Sequence, residues 1–205
     1  MTNIRTSLTA AVFAFGFAAA ASAQVSSVDT QLSPGTEVAS AGAVGQPYIA
    51  SLQGDWAVRC IKTDNGTDPC NLYQTLQDGD GNNVAEISLY KLPQGGQAEA
   101  GATVVTPLET LLNQQITISF DQGTAKRYPF TYCDPNSCYA RIALSGADIA
   151  SMKAGASGEL TLVPLRAPDK RIGLNISLKG FTAGYDAVTE ANHARDARLK
   201  ELAAQ

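Results

Sequence analysis

Gly54-Asp55-Trp56-Ala57-Val58-Arg59-Cys60, followed ten residues on by Cys70, is the stretch whose reading decides the fold. It carries the chain's only tryptophan and the first of four cysteines. In extended chain the side chains alternate, so Trp56, Val58 and Cys60 share one face while Asp55, Ala57 and Arg59 take the other. An apolar face that ends in a cysteine predicts a half-buried strand stapled at its end.

Upstream, Arg5 and the amino terminus precede an apolar run from Leu8 to Ala21, and Ala21-Ser22-Ala23 places small residues where a signal peptidase reads. The pattern predicts a signal peptide over 1–23, cut between Ala23 and Gln24. The run is short of the roughly 20 apolar residues a spanning helix needs, so no transmembrane segment is expected after cleavage. Residues 24–52, rich in Ser, Ala, Gly, Val and Pro, read as a flexible leader.

The chain has 205 residues, 44% of them hydrophobic and 17% charged, with a formal net charge of −4. One domain with extensions fits that length. The negative balance argues against nucleic acid or anionic lipid held by a basic surface. In an oxidising compartment the cysteines imply two disulfides. Cys60–Cys70 and Cys133–Cys138 are expected over the two crossed alternatives, because each pair flanks turn-forming residues such as Asp64-Asn65-Gly66 and Asp134-Pro135-Asn136. Neither spacing is Cys-x-x-Cys and no histidine lies nearby, which argues against zinc.

Downstream the alternation continues. Leu72, Gln74 and Leu76 lead into the turn Asp78 to Asn83, and Ala85, Ile87 and Leu89 return from it as a β-hairpin. Asp78, Asp80 and Asn82 open like a calcium loop, but Asn83 and Leu89 stand where that loop needs glycine and a bidentate glutamate. Thr103 to Thr106 is a strand stopped by Pro107, and Ile116, Ile118 and Phe120 form another. Ser145 caps a short helix to Lys153, with Asp148 three residues on and Gly155 closing it. Strands follow at Leu160 and Leu162 and from Arg171 to Lys179.

A strand from Lys126 to Cys133 should return from Cys138 to Leu144. An ideal hairpin sets Tyr132 opposite Tyr139 and leaves neither face cleanly apolar. A bulge or an edge interruption is therefore expected near Pro129, with Phe130 buried and Tyr139 on the exposed side. Tyr132 and Tyr139 are the candidate contact surface. Seven or eight short strands without a βαβ rhythm predict an all-β antiparallel sandwich over 53–182. Residues 183–205 read as a helical tail. Its apolar stripe of Val188, Ala191, Leu199 and Leu202 is interrupted by Arg195, so loose packing is expected, with a partner-binding helix as the alternative.

The one histidine, His193, lies in that tail, away from any cysteine, which leaves no nucleophile triad. Asp55, Glu86, Glu109, Asp121 and Glu159 are scattered through the domain. A carboxylate-based hydrolase or carbohydrate-active domain is the alternative to a protein that works by contact.

Gly54 to Cys60 with Cys70 resembles the opening of the invasion-associated locus B family of bacterial envelope proteins. Further matching pieces follow in order: Pro107-Leu108, Pro129-Phe130 ahead of Cys133, Cys138-Tyr139-Ala140, and Ser177-Leu178-Lys179-Gly180-Phe181-Thr182-Ala183. A glutamine that the family carries shortly after its second cysteine corresponds to Gln74, somewhat displaced. The resemblance implies a periplasmic or secreted β-sandwich of immunoglobulin-like topology. No catalytic residues are defined for the family that carry over to this chain; no cofactor or metal is expected, and the expected partner is an envelope or host-surface protein. The family's named member is associated with entry of a pathogen into red blood cells.

Overall fold

A computed structural model describes residues 42–93, 95–121 and 123–204. The expected signal peptide over 1–23, and the leader as far as residue 41, lie outside the described residues. Strands β1 (Pro47–Gln53) and β2 (Trp56–Ile61) form a hairpin whose two-residue turn is Gly54-Asp55. Gly54 sits at φ 60°, where a two-residue hairpin wants glycine. The leader boundary at 52 is thus corrected: Pro47 to Leu52 belong to the sheet. Their strand is hard to read because a bulge at Ala50 shifts the register between Ile49 and Ser51. Ile49 and Leu52 then share a face, and the period of two is lost.

β3 (Cys70–Gln77), β4 (Asn83–Lys91) and β5 (Ala100–Pro107) continue the meander, and β9 (Ser137–Leu144) with β8 (Tyr132–Cys133) completes a seven-stranded antiparallel sheet in the order β1-β2-β3-β4-β5-β9-β8. At the β3–β4 turn, the Asp78 carboxylate accepts from the Asp80 and Asn82 amides at 3.0 and 2.9 Å. A second antiparallel sheet has the order β11 (Ile172–Ser177), β10 (Ser157–Leu162), β6 (Ile116–Phe120), β7 (Lys126–Tyr128). Apolar side chains of both sheets meet in one core, with Leu72, Leu76, Ile87, Leu89 and Val104 against Ile116, Ile118, Leu160, Leu174 and Ile176. Two sheets sharing a core is the expected sandwich architecture. The immunoglobulin-like connectivity is corrected by the strand order. In that fold the second and third strands lie in different sheets, whereas here β1 to β5 run in sequence through one sheet.

The break near Pro129 is present, and it is larger than a bulge. β7 pairs with β6 in the small sheet, and three residues later β8 pairs with β9 in the large one. Pro129 has no amide hydrogen for a ladder, so the chain changes sheets there. Phe130 packs partly buried against the core, and Tyr132 keeps its ideal place opposite Tyr139.

Two helices close the inner layer. α1 (Gly146–Ala154) has the full capping box of Ser145 with Asp148 and buries Ile149 and Met152. α2 (Phe181–Ala203) corrects the loose tail. Phe181, Tyr185 and Val188 are fully buried, and the Phe181 ring meets Trp56 edge-on at 5.4 Å. Asn192 lies against the Cys70 backbone, accepting from its N–H at 3.0 Å and donating to its carbonyl at 2.8 Å. The stripe is interrupted where expected, and Leu199 is exposed. The heptad before it packs because Phe181, Tyr185 and Val188 recur at i, i+4, i+7.

The two sheets are tied at one polar knot. The Trp56 indole N–H donates to the Ser177 carbonyl at 2.7 Å. Gln74 donates to the Asp55 and Ser177 carbonyls at 3.2 and 3.1 Å and accepts from the Ser177 N–H at 3.0 Å. The Ser177 hydroxyl donates to Asp55 at 2.6 Å. Gly54 and Gly180 sit back to back: a Cβ on Gly54 would stand 2.5 Å from the Lys179 carbonyl oxygen, and one on Gly180 would collide with the Gln53 carbonyl. Every polar atom of the Gln74 amide is thus used to hold backbone that would otherwise be buried without partners.

Candidate contact surface

The small sheet and α2 cover one face of the seven-stranded sheet, and among the described residues no element covers its other, open face. Register assigns the members of the open face. Ile49, Arg59 and Asn71 stand in one row across β1, β2 and β3, and Leu52, Ala57, Tyr73, Ser88, Thr103 and Arg141 in the next. Glu86, Val105, Tyr139 and Tyr132 make a third. Ile49 and Leu52 are exposed to 51% and 72%, both on this face because of the Ala50 bulge.

Two aromatic groups mark the face. In the middle, the Arg59 guanidinium lies over the Tyr73 ring at 3.9 Å from its centroid, and the Tyr73 hydroxyl hydrogen-bonds Thr75 at 3.0 Å. Burial pushes the Tyr73 phenol up. At the margin, the rings of Tyr132 and Tyr139 stack with centroids 4.7 Å apart, and the Arg141 guanidinium stands 5.8 Å from the Tyr132 ring. Among the described residues neither Arg59 nor Arg141 forms an ion pair.

Cys133 and Cys138 are bonded directly beneath the Tyr132–Tyr139 pair, and Cys60 is bonded to Cys70. Asp134 shapes the hairpin tip: it accepts from the Asn136 and Ser137 amides at 2.8 and 2.9 Å and from the Tyr139 hydroxyl at 2.9 Å. Those donors, the two amides first, hold its carboxyl below the usual range, and the carboxylate in turn raises the Tyr139 phenol. At neutral pH Tyr139 is therefore a fixed donor with its ring pinned under Tyr132. Tyr132 and Tyr139 are brought together with Arg141, whereas Arg59 and Tyr73 lie in the middle of the face. Sequence reasoning placed Arg59 on the outward side of β2 but gave it no role. A guanidinium and an aromatic ring on facing outward positions of neighbouring strands were the available signal.

Among the clefts of the described residues, two bear on the chemistry considered above. One of about 450 Å³ is lined by Asp78, Asp121 and Glu159. Two of those carboxylates are engaged in local structure: Asp78 holds its own turn, and Asp121 accepts from the Ala156 and Ser157 amides at 3.1 and 3.2 Å. Hydrogen bonds from Asn82 hold the Asp78 carboxyl low, opposite to the raised value a general acid needs. The other, of about 380 Å³, runs between α2 and the ends of β2 to β4, reaches the open face at Asn71 and Tyr90, and places His193 near Asn192, Arg195 and Asp196. No helix among the described residues is long and apolar enough to cross a membrane.

The sequence matches the family model described as invasion associated locus B (IalB) protein over residues 56–189. An invasion protein B homologue of Brucella abortus strain 2308 is 24% identical over 145 residues, covering 70% of this chain and 81% of that protein. Its counterpart in Brucella abortus biovar 1 strain 9-941 matches to the same extent. The crystal structure of invasion associated protein B from Bartonella henselae superposes with a TM-score of 0.56 at 18% identity, covering 67% of this chain and 94% of that one. The family match takes in both disulfides, the Gln74–Ser177 knot and the buried half of α2, and on that span this chain belongs to the invasion-associated locus B family.

Proposed function

We propose that this protein is exported, loses residues 1–23 between Ala23 and Gln24, and acts without catalysis through contacts with an envelope or host-surface component. The open face of the seven-stranded sheet is the contact surface, and Tyr132 and Tyr139 form its margin. The observation that carries this reading is the pairing of arginines, without ion pairs among the described residues, with tyrosines on one open face, Arg59 with Tyr73 and Arg141 with Tyr132. Tyrosine and arginine are the residue types that interfaces favour. Two disulfides suit an oxidising compartment, and the relatives carry invasion-protein names rather than enzyme names.

Capture of partners from native envelope extract tests the reading. The exported protein should start at Gln24 by intact mass and retain a discrete partner. The pair of changes Tyr132→Ala and Arg141→Ala should release that partner without changing the fold. A mass that includes Met1, or a partner held equally by both forms, would sink it.

A further inference from the structure

Tyr90 on β4 lies directly opposite Gly101 on β5, and it remains 42% exposed. A Cβ on Gly101 would stand 2.7 Å from Tyr90 Cζ, 2.8 Å from its hydroxyl oxygen and 3.0 Å from Cε2. A point beside the ring edge at that distance from Cζ would come much closer to one of the two flanking atoms. The near-equal distances put Gly101 under the flat of the phenol. The ring therefore lies face-down on the sheet in the gap left by a missing side chain, and its other face looks out to solvent.

The rim of this platform is polar. Asn71 stands one place beyond the Leu72–Leu89 pair on β3, Ser88 lies two residues back on β4, and Thr103 lies two on from Gly101 on β5. Arg59 on β2 and Arg141 on β9 flank Tyr90, each two strands away; Arg59 is in the same row, about 10 Å off, and Arg141 is two residues along its strand, about 12 Å off. On a chain with net charge −4, the face carries these two arginines free of ion pairs among the described residues.

We propose, on the contact reading of the open face, that it binds an acidic glycan in which uronic acids alternate with neutral sugars. A neutral pyranose stacks its C–H face on Tyr90, and the neighbouring carboxylates meet Arg59 and Arg141. The exposed π face is electron-rich and attracts the weakly positive C–H groups of a sugar. Ser88 and Thr103 supply donors and acceptors for its hydroxyls. Guanidinium groups take carboxylates in bidentate fashion. Glu86 stands on the same face in the row beyond Ser88, so the acidic partner is directed to the side that carries Arg59, Tyr90 and Arg141.

Titration calorimetry of the mature protein with hyaluronan and unsulfated chondroitin hexasaccharides, and with neutral maltohexaose, tests this. At least one acidic hexasaccharide should bind, and more tightly than maltohexaose. Tyr90→Ala should weaken it roughly tenfold or more, and Tyr90→Phe should retain it. Gly101→Ala should weaken it to a similar degree by lifting the ring, while Tm stays level or rises, because glycine in a strand interior is the less stable choice. Arg59→Ala with Arg141→Ala should remove the preference for the acidic sugar. Failure of both acidic hexasaccharides to bind, or unchanged binding in Tyr90→Ala and Gly101→Ala, overturns the proposal. Partner capture that is lost in the Tyr132 and Arg141 variants while no hexasaccharide binds would leave the contact reading standing and remove the glycan.

Discussion

Cys60–Cys70 and Cys133–Cys138 each join residues directly paired on neighbouring strands, with Cα atoms 4.0 Å apart in both. Around the first, everything is shared between elements. Cys60 and Cys70 are buried, Asn192 of α2 lies against the Cys70 backbone, and Trp56 on the same strand hydrogen-bonds across to the small sheet. Around the second, Cys138 is buried and paired with Thr106 of β5, but the Cys133 side makes only local contacts. Cys133 is exposed, β8 has only two residues, and Asp134 bonds within its own hairpin. The same covalent device thus sits in a structural clamp at one site and beside the proposed contact surface at the other. What separates them is how many elements converge on the bond.

The largest expected effect is at the clamp. Trp56→Ala should destabilise by about 3–5 kcal/mol, because it removes a fully buried ring and opens a cavity between sheets and helix. Urea unfolding measures this, and a loss below about 1 kcal/mol would break the comparison at its stronger end.

The disulfides come next. The loops close over 10 and 5 residues, and chain entropy gives about 2.7 and 2 kcal/mol respectively. Cys60→Ala with Cys70→Ala should therefore cost more than Cys133→Ala with Cys138→Ala, and burial of the first pair widens the gap. Under mild thiol, alkylation mapping should find Cys133–Cys138 opened first, since exchange needs access to a sulfur. Opening of Cys60–Cys70 first would reverse the assignment of the two regions.

Each disulfide loop also holds an aspartate with a lowered pKa, so acid sharpens the contrast. The Thr63 hydroxyl and amide, then the Tyr48 hydroxyl, hold Asp68 well below the carboxylate range, and the Tyr48 bond, at 2.8 Å, ties β1 to the loop before Cys70. A carboxyl whose folded pKa is depressed adds stability that is complete above its unfolded value, about pH 4, and is lost as pH falls through the folded value. Tm should fall below about pH 4, and Asp68→Asn should flatten that limb more than Asp134→Asn. Equal effects would mean that the Tyr48 tie adds nothing.

The smallest stability effect is expected on the proposed contact surface. Tyr132→Ala removes a ring that is 46% exposed and should cost about 1 kcal/mol or less. Partner capture should respond far more than Tm. A large fall in Tm would make the aromatic pair a structural element and not a contact.

Local features were legible wherever the physics is local. The Asp78 turn, the Ser145 capping box, the stop at Pro107 and the interruption at Pro129 each follow from side-chain chemistry a few residues wide, and the alternation of apolar residues marked most strands. β1 was not legible, because one bulge cancels the two-residue period that identifies a strand. The packing of α2 was missed because the Arg195 interruption drew attention away from Phe181, Tyr185 and Val188, whose burial depends on the Trp56 side of the sheet.

By itself, the sequence determined the composition of most strands, the turns between them and, outside β1, which side chains face in or out along each one. Those properties depend on neighbours within a few residues. Only the tertiary structure decided the order of strands in the two sheets, the use of Gln74 and Trp56 to tie Ser177 across 103 and 121 residues, and the assembly of Arg59, Tyr73, Tyr90, Arg141 and Tyr132 on one face. These depend on which strands lie side by side, and strand pairing is set by the sum of many long-range contacts, which no local pattern encodes.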